Sequence, residues 1–310
     1  MKKSIRIALY SAIAISLIAI AVANKGEEAK NSKPTVCVTT FALYDIVKHV
    51  SDDTLNIVSI LPFGVDPHSY EPTPRLVADI EKSALVIYSG AGLEPWTHGF
   101  EFKNRALDVS ERVTLRELGS EEVGESAHHH DDDEAHGAFD PHYWLSFSNM
   151  AKAANLIAKE LIAVSPQNEK KYIKNRDAYL AMLKNLDAEF STKLSMCERD
   201  TILVNHNAFG YLSDAYGFHV ESLSGLSPEA EPNAKSVIRL IEIIQERNVS
   251  TVFFESFASD RAIKSVARET NAKVEVLQPL GNVTADEAKL TYETMMKENL
   301  LKLSEALDCR

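Results

Sequence analysis

The stretch Ser165–Leu194, SPQNEKKYIKNRDAYLAMLKNLDAEFSTKL, decides the architecture of this chain. It opens with a serine suited to capping a helix and a proline suited to a first helical turn, so it predicts a helix from Pro166. Its apolar residues recur at helical spacing, and they are Tyr172, Tyr179, Leu183, Leu186, Phe190 and Leu194. Roughly 30 residues at 1.5 Å each extend about 45 Å. A helix of that length is expected to connect two lobes of one protein.

On both sides of this helix, short apolar runs alternate with helical patterns, which is typical of α/β architecture. Before it, strands are predicted at 35–39, 55–61 and 84–88, and helices at 42–50 and 75–82. After it, strands are predicted at 201–204, 251–254 and 274–277, and helices at 234–247, 260–270 and 285–307. We therefore predict an N-terminal lobe at 34–150, connecting helices at 151–195 and a C-terminal lobe at 196–310, each lobe with a mostly parallel sheet.

The composition is that of an ordinary globular protein with an acidic balance. The 310 residues exceed one typical domain, and 45% hydrophobic with 25% charged residues suffices for a core. The formal net charge of -12 argues against a nucleic-acid partner and is compatible with attracting cations.

The N-terminus predicts export. A basic start is followed by the apolar run Ile7–Ala23, which ends in Ala21-Val22-Ala23. This pattern predicts a signal peptide at 1–23 and a polar, flexible tether at 24–33. An uncleaved membrane anchor is the alternative, since the run approaches the roughly 17–25 residues of a spanning helix. No cysteine follows the run closely, so the pattern does not favour a lipid anchor.

The chain has three cysteines, Cys37, Cys197 and Cys309. Cys37 lies in a strand-like run and is expected to be a small buried apolar residue. Export would permit a disulfide between Cys197 and Cys309, which would tie down the C-terminus. Spacing alone does not prove this pairing.

Three histidines at predicted turns indicate a metal site. Two belong to repeated triplets, Asp66-Pro67-His68 and Asp140-Pro141-His142, and the third is His206. Proline restricts its own φ and the backbone of the residue before it, so each triplet presents its histidine from a stiffened turn. A single Asp-Pro turn with an incidental histidine would carry little meaning. Two copies together with His206 favour a shared function.

The three histidines are expected to meet in a cleft between the lobes. His68 and His206 each follow a predicted strand, and open α/β sheets bind ligands outside the carboxyl ends of their strands. His142 precedes the connecting helices. Neutral imidazoles suit Zn²⁺, Cu²⁺ and Ni²⁺, whereas Mn²⁺ sites draw more on carboxylates.

Three imidazoles leave a fourth tetrahedral position for water or a carboxylate. Asp66 and Glu255 are candidates for a fourth ligand or for a group that supports a ligand. Glu255 comes at the end of a predicted strand, so a bond to a backbone amide is an equally good role for it.

The segment 119–137 interrupts the α/β pattern and is rich in acidic residues and histidine. We predict a disordered surface loop there. Its histidines could gather metal at low affinity, and they are His128, His129, His130 and His136. A solvated acidic loop without such a role is the alternative.

Four segments together resemble the metal-specific substrate-binding proteins of ABC transporters, particularly the zinc-binding ZnuA-like branch of the TroA superfamily. They are Asp66–Pro72 (DPHSYEP), Asp140–Leu145 (DPHYWL), His206–Tyr211 (HNAFGY) and Glu229–Pro232 (EAEP). Each is weakly specific alone, but the set is highly specific, and the likeness covers nearly the whole mature chain.

The resemblance implies two β/α lobes with four-stranded sheets, one long connecting helix and a metal in the cleft. It assigns the ligand role to His68, His142 and His206. Manganese-preferring relatives place a glutamate at the third position, so His206 favours zinc. Some relatives place a carboxylate ligand where this chain has Gly281, so water is expected to complete the site.

The implied function is capture of Zn²⁺ outside the cytoplasm and delivery to the membrane permease of an ABC transporter, by a monomer without catalytic activity. A manganese, copper or nickel carrier is the alternative within this class. A zinc hydrolase would also use three histidines, but no H-E-x-x-H motif is present. An adhesin with a structural metal would hold the ion so that removal unfolds the protein.

Overall fold

Two parallel β-sheets form the framework of the chain. The computed structural model describes residues 33–118, 139–224, 234–256 and 261–310. The strands of the first sheet are β1 (Thr35–Val38), β2 (Asn56–Ser59), β3 (Leu85–Tyr88) and β4 (Ala106–Asp108), and their order is β2-β1-β3-β4. A short antiparallel ribbon pairs β5 (Arg116–Glu117) with β6 (Phe139–Asp140). The strands of the second sheet are β7 (Thr201–His206), β8 (His219–Ser224), β9 (Thr251–Phe254) and β10 (Lys273–Val276), in the order β10-β9-β7-β8.

Helices flank both sheets. They are α1 (Phe41–Ser51), α2 (Pro74–Lys82), α3 (Phe147–Val164), α4 (Glu169–Lys193), α5 (Gly210–Tyr216), α6 (Ala234–Arg247), α7 (Arg261–Thr270) and α8 (Tyr292–Ala306). The start of α2 follows its sequence: the Thr73 hydroxyl accepts a hydrogen bond from the Leu76 amide, and Pro74 occupies the first turn. Strand β8 and helix α5 were not predicted from the sequence.

Strands β1 and β3 each carry a run of apolar residues that pack into the core on both faces of the sheet. Val36, Cys37 and Val38 of β1 are all fully buried, as are the first three residues of β3 to within 1%. Continuous apolar runs of this kind distinguish parallel, two-sided sheets from sheets with one face in water.

The long connecting helix is confirmed as α4, which follows α3 after a single turn of 3-10 helix at Pro166–Asn168. Its 25 residues extend about 37 Å at 1.5 Å per residue. One stripe of the helix is buried, and it comprises Tyr172, Tyr179, Leu183, Leu186 and Phe190. The two-lobed α/β fold expected from the sequence is therefore present.

Asp45 of α1 connects that helix to α4 and α8. Its carboxylate is 3% exposed. One oxygen accepts a hydrogen bond from the Tyr179 hydroxyl of α4 at 2.9 Å, and the other accepts from the Tyr292 amide of α8 at 3.2 Å. Asp45 itself belongs to α1, so a single carboxylate ties the first lobe to the connecting helix and to the terminal helix.

The predicted start of the terminal helix at residue 285 is wrong, since α8 begins at Tyr292. Thr284 and Glu287 form a reciprocal cap of their own, in which the Thr284 amide donates to Glu287 Oε2 at 2.9 Å. This cap starts a short 3-10 turn, and Thr291 then caps α8. The apolar periodicity continued across the break and hid it.

A disulfide joins Cys197 to Cys309 across 112 positions of the sequence. Cys37 lies in β1, buried and outside any disulfide. The bond fixes the last residues of the chain to the segment that leaves α4.

Several predicted segments lie outside the described residues. They are the signal peptide at 1–23, the tether at 24–33 apart from Lys33, and the acidic loop at 119–137. The proposed boundaries between lobes and connecting helices stay predictions. Among the described residues, none of the helices combines the length and apolarity that crossing a bilayer requires.

Candidate metal centre

His206 is the last residue of β7, two residues beyond the predicted end of that strand. The adjacent strand β9 ends just before Glu255. From β7 the chain continues to β8 on one side, while β9 and β10 lie on the other. The β7–β9 boundary is thus a point where strand order reverses, which is where open α/β sheets form ligand crevices. The topology therefore places His206 and Glu255 side by side at the crevice.

The two Asp-Pro-His triplets share one hydrogen bond, from the histidine amide to the aspartate carboxylate. Asp66 Oδ1 accepts a hydrogen bond from the His68 amide at 3.0 Å, and Asp140 Oδ1 accepts from the His142 amide at 2.9 Å. An aspartate that binds the amide two residues later forms a closed turn. Each turn is thus closed by its own aspartate, next to the histidine that the sequence singled out.

The three imidazoles converge on one point. His142 Nε2 lies 3.3 Å from His68 Nε2 and 3.4 Å from His206 Nε2. Across the described parts of the chain, these are the His, Cys, Asp or Glu side chains that gather as a potential ligand set, with ligand atoms within 4.8 Å of one another. His142 and His206 are buried, whereas His68 is partly exposed. The cavity between them has a volume of about 10 Å³, which is the size that holds one water molecule or ion.

Carboxylates contact the outer nitrogens of two of the rings. Asp140 Oδ1 lies 2.8 Å from His142 Nδ1, and Glu255 Oε1 contacts His206 Nδ1. Since a carboxylate only accepts, His142 carries its proton on Nδ1, which leaves the Nε2 lone pair directed at the centre. Asn205 Nδ2 donates to Glu255 Oε1 at 3.2 Å and holds that carboxylate in place.

The electrostatics of the cluster keep His68 neutral. Burial lowers the pKa of His68 well below its ordinary value of 6.5, and the positive charges that His142 and His206 can carry lower it further. A neutral imidazole has the free lone pair that a metal needs. His68 is therefore in the protonation state that metal binding would require.

The structure places both candidate carboxylates outside the ring of ligand atoms. Asp66 closes its own turn, and Glu255 supports His206 from behind. Gly281 lies in the wall of the cavity. A Cβ at that position would lie 3.1 Å from a ring carbon of Trp144, so the wall is already closely packed there.

Two supporting residues were not singled out from the sequence. Trp144 lies edge-on to His142, with ring centroids 5.4 Å apart, and its Nε1 donates to the Pro279 carbonyl at 2.6 Å. Arg116 Nη1 lies 3.8 Å from Asp140 Oδ2, which offsets the buried charge of that carboxylate. Trp144 belongs to the DPHYWL segment that carried the resemblance, whereas no local signal identified Arg116.

Some predicted functional residues fall outside the described residues. They are the loop histidines His128, His129, His130 and His136, and the segment Glu229–Pro232.

Comparisons with known proteins place this fold and these motifs in a family of metal-uptake proteins. A family model described as ZnuA, zinc-uptake complex component A, periplasmic, matches residues 36–306. The high-affinity zinc uptake system protein ZnuA of Bacillus subtilis is 33% identical over 287 residues, which cover 90% of this chain and 89% of that protein. The zinc-binding lipoprotein AdcA of Streptococcus pneumoniae is 30% identical over 313 residues, and this chain spans only 61% of the length of AdcA.

Solved structures and a manganese relative complete the comparison. The crystal structure of the Zn(II)-bound ZnuA-like domain of Streptococcus pneumoniae AdcA is similar with a TM-score of 0.74 and 28% identity, covering 89% of this chain and 100% of that one. The manganese ABC transporter substrate-binding lipoprotein PsaA of Streptococcus pneumoniae is 31% identical over 307 residues, 97% of each chain. The resemblance seen in the motifs is thereby confirmed, and the chain belongs to the ZnuA family of zinc-uptake complex components.

Proposed function

We propose that this chain binds Zn²⁺ outside the cytoplasm through His68, His142 and His206, and delivers it to the membrane permease of an ABC transporter. The observation that carries the proposal is the convergence of three imidazole Nε2 atoms on a cavity sized for one ion. Family membership supports the transport role. The export predicted from the N-terminal segment, with either a cleaved signal peptide or an uncleaved membrane anchor, is consistent with this location.

The donor set favours zinc over manganese. All three converging atoms are imidazole nitrogens, and the nearby carboxylates face the outer nitrogens of the rings instead of the centre. Imidazole suits Zn²⁺, whereas Mn²⁺ prefers carboxylate and carbonyl oxygens. The similarity to PsaA keeps Mn²⁺ as the second candidate, and Cu²⁺ competes in vitro because of its general affinity for nitrogen ligands.

Water is proposed as the fourth ligand. Gly281 supplies no side-chain donor, and Asp66 and Glu255 are engaged elsewhere. A carboxylate oxygen found at roughly 2.0–2.2 Å from zinc in a metal-loaded crystal structure would contradict this assignment. The histidines at 128–136 keep their predicted role as a low-affinity collector of metal.

His206→Ala tests the site directly. We expect it to weaken zinc binding by more than about 100-fold, because it removes a ligand and not merely a supporting group. Competition with a chelating dye measures the affinity, and competition among Zn²⁺, Mn²⁺ and Cu²⁺ measures the preference. His219→Ala, at an exposed histidine of the same lobe, is the matched control. Unchanged affinity in His206→Ala would rule out this ligand assignment.

A further inference from the structure

Residues 278–283, here named the crossing segment, pass from the second sheet to the first lobe. The segment begins after β10, where the Gln278 amide donates to Asn299 Oδ1 of α8 at 3.0 Å. It then reaches α1, where the Phe41 amide donates to the Gly281 carbonyl at 3.0 Å. Leu280 between them is fully buried and has φ of 59°. A branched residue keeps this left-handed conformation only where surrounding contacts impose it.

Asn282 of the crossing segment forms hydrogen bonds with the loop that carries His68. Its Nδ2 donates to two carbonyls, those of Pro62 and Val65, each at 2.7 Å. Its Oδ1 accepts from the Val283 amide at 2.8 Å. The residue is 4% exposed. A buried amide with both donors and its acceptor engaged defines the position of whatever it binds, since leaving any of these groups unpaired is costly.

The loop at 62–68, here named the His68 loop, lies outside helices and strands. Besides the two bonds from Asn282, the Gly64 amide donates to the Val283 carbonyl at 3.0 Å. The crossing segment therefore contacts the loop at three of the four positions from 62 to 65. Three residues further on, His68 reaches the metal cavity, which Asn282 also lines.

We propose that Asn282 is a positioning residue for metal binding. From the crossing segment it holds the His68 loop in place, so that His68 Nε2 stays close to the Nε2 atoms of His142 and His206. This inference rests on the proposed zinc site and extends it. His68 is the partly exposed ligand of the three, and its loop is tied down by side-chain bonds instead of a sheet. On this proposal, Asn282 controls how readily His68 dissociates from the bound metal.

Asn282→Asp is the sharpest variant. It keeps an oxygen for the Val283 amide but replaces both donors to Pro62 and Val65 with an acceptor. We expect zinc affinity to fall about 10- to 100-fold, as for other groups that hold a ligand in place, with faster zinc dissociation in chelator-trapping kinetics. Asn155→Asp is the matched control, because Asn155 is exposed and its Nδ2 donates to a single carbonyl, that of Ala151.

A double-mutant cycle separates positioning of His68 from general damage. In a His68→Ala background, Asn282→Asp is expected to cause no further loss of zinc affinity, whereas in a His206→Ala background it keeps its effect. An equal loss in the wild-type and His68→Ala backgrounds would overturn the proposal. If the aspartate variant does not fold, Asn282→Ala enters the same cycle, because it removes the donors without adding a charge.

Hydrogen exchange of the metal-free protein gives a result independent of zinc. In Asn282→Asp we expect faster exchange in the peptide that contains Gly64, and unchanged exchange there would overturn the proposal. If the wild-type chain does not bind zinc while the exchange result holds, the proposed function fails and the structural role of Asn282 stands.

Discussion

Among single residues, Asp66 and Asp140 shape the candidate site through hydrogen bonds to the neighbouring histidines. In both Asp-Pro-His turns, the aspartate binds the amide of the histidine two positions later. Asp140 also binds the outer nitrogen of His142 with the same oxygen. One side chain thus sets both the direction of the turn and the tautomer of the ring. A change of Asp140 would therefore affect metal binding through orientation as well as charge.

A buried carboxylate away from the site is expected to make stability depend on pH. Glu94 is 1% exposed and accepts from the Ser89 and Gly90 amides at 2.9 and 3.0 Å. Burial raises its pKa from 4.5 to about 7. The folded protein then binds a proton that the unfolded chain releases between these values, so the free energy of unfolding falls as pH rises through that window, by up to about 3 kcal/mol.

Glu94→Gln removes this contribution. We expect the difference in free energy of unfolding between wild type and Glu94→Gln to favour wild type most at pH 5 and to shrink towards pH 8. Urea unfolding of the metal-free proteins measures it, with Glu101→Gln at an exposed position as the control. A difference that does not vary with pH would contradict the raised pKa.

At the scale of elements, strand ends and turns present the ligands while the helices behind them stay apolar. His206 ends β7, and His68 and His142 stand on turns. Periodicity predicted α4 well because its buried stripe, from Tyr172 to Phe190, repeats at helical spacing over about five turns. It failed between residues 285 and 291, where a cap interrupts the helix without interrupting the apolar pattern.

The disulfide is expected to stabilise the second lobe. It joins residues 112 positions apart. A disulfide restricts the unfolded chain and thereby typically raises the free energy of unfolding by about 2–4 kcal/mol. The double variant Cys197→Ser/Cys309→Ser should lose that much free energy of unfolding in urea. Reductant should destabilise the wild type equally and leave the double variant unaffected. Insensitivity of the wild type to complete reduction would show that the bond contributes nothing.

In the molecule as a whole, the candidate metal centre draws on both sheets. His206 comes from the second sheet, whereas His68 comes from the loop after β2 of the first. Hydrogen bonds away from the histidines also connect the two ends of the chain. Asn282 of the crossing segment binds the Pro62 carbonyl, and Asp45 of α1 binds the Tyr292 amide of α8. The protein therefore has hydrogen bonds of its own that connect these parts, besides the candidate metal ligands.

Zinc is accordingly expected to stabilise a protein that is already folded. Chelator-treated protein should keep its circular dichroism spectrum, and zinc at about 1,000 times its dissociation constant should add about 4 kcal/mol to the free energy of unfolding. His206→Ala should show a much smaller increase. Unfolding on removal of the metal would instead indicate a structural ion, as expected for an adhesin whose metal serves stability.

Local periodicity was enough to predict the two-lobed α/β fold and the long helix, and short motifs that stiffen a turn were enough to select the three candidate histidines. The folded chain was needed to show that Glu255 contacts the outer nitrogen of His206, and that Asn282 binds a loop about 220 positions earlier in the chain. Contacts of this kind join residues that are remote in sequence, and no local pattern encodes which side chain meets which carbonyl. They follow from the packing of the two lobes, which brings the crossing segment against the His68 loop.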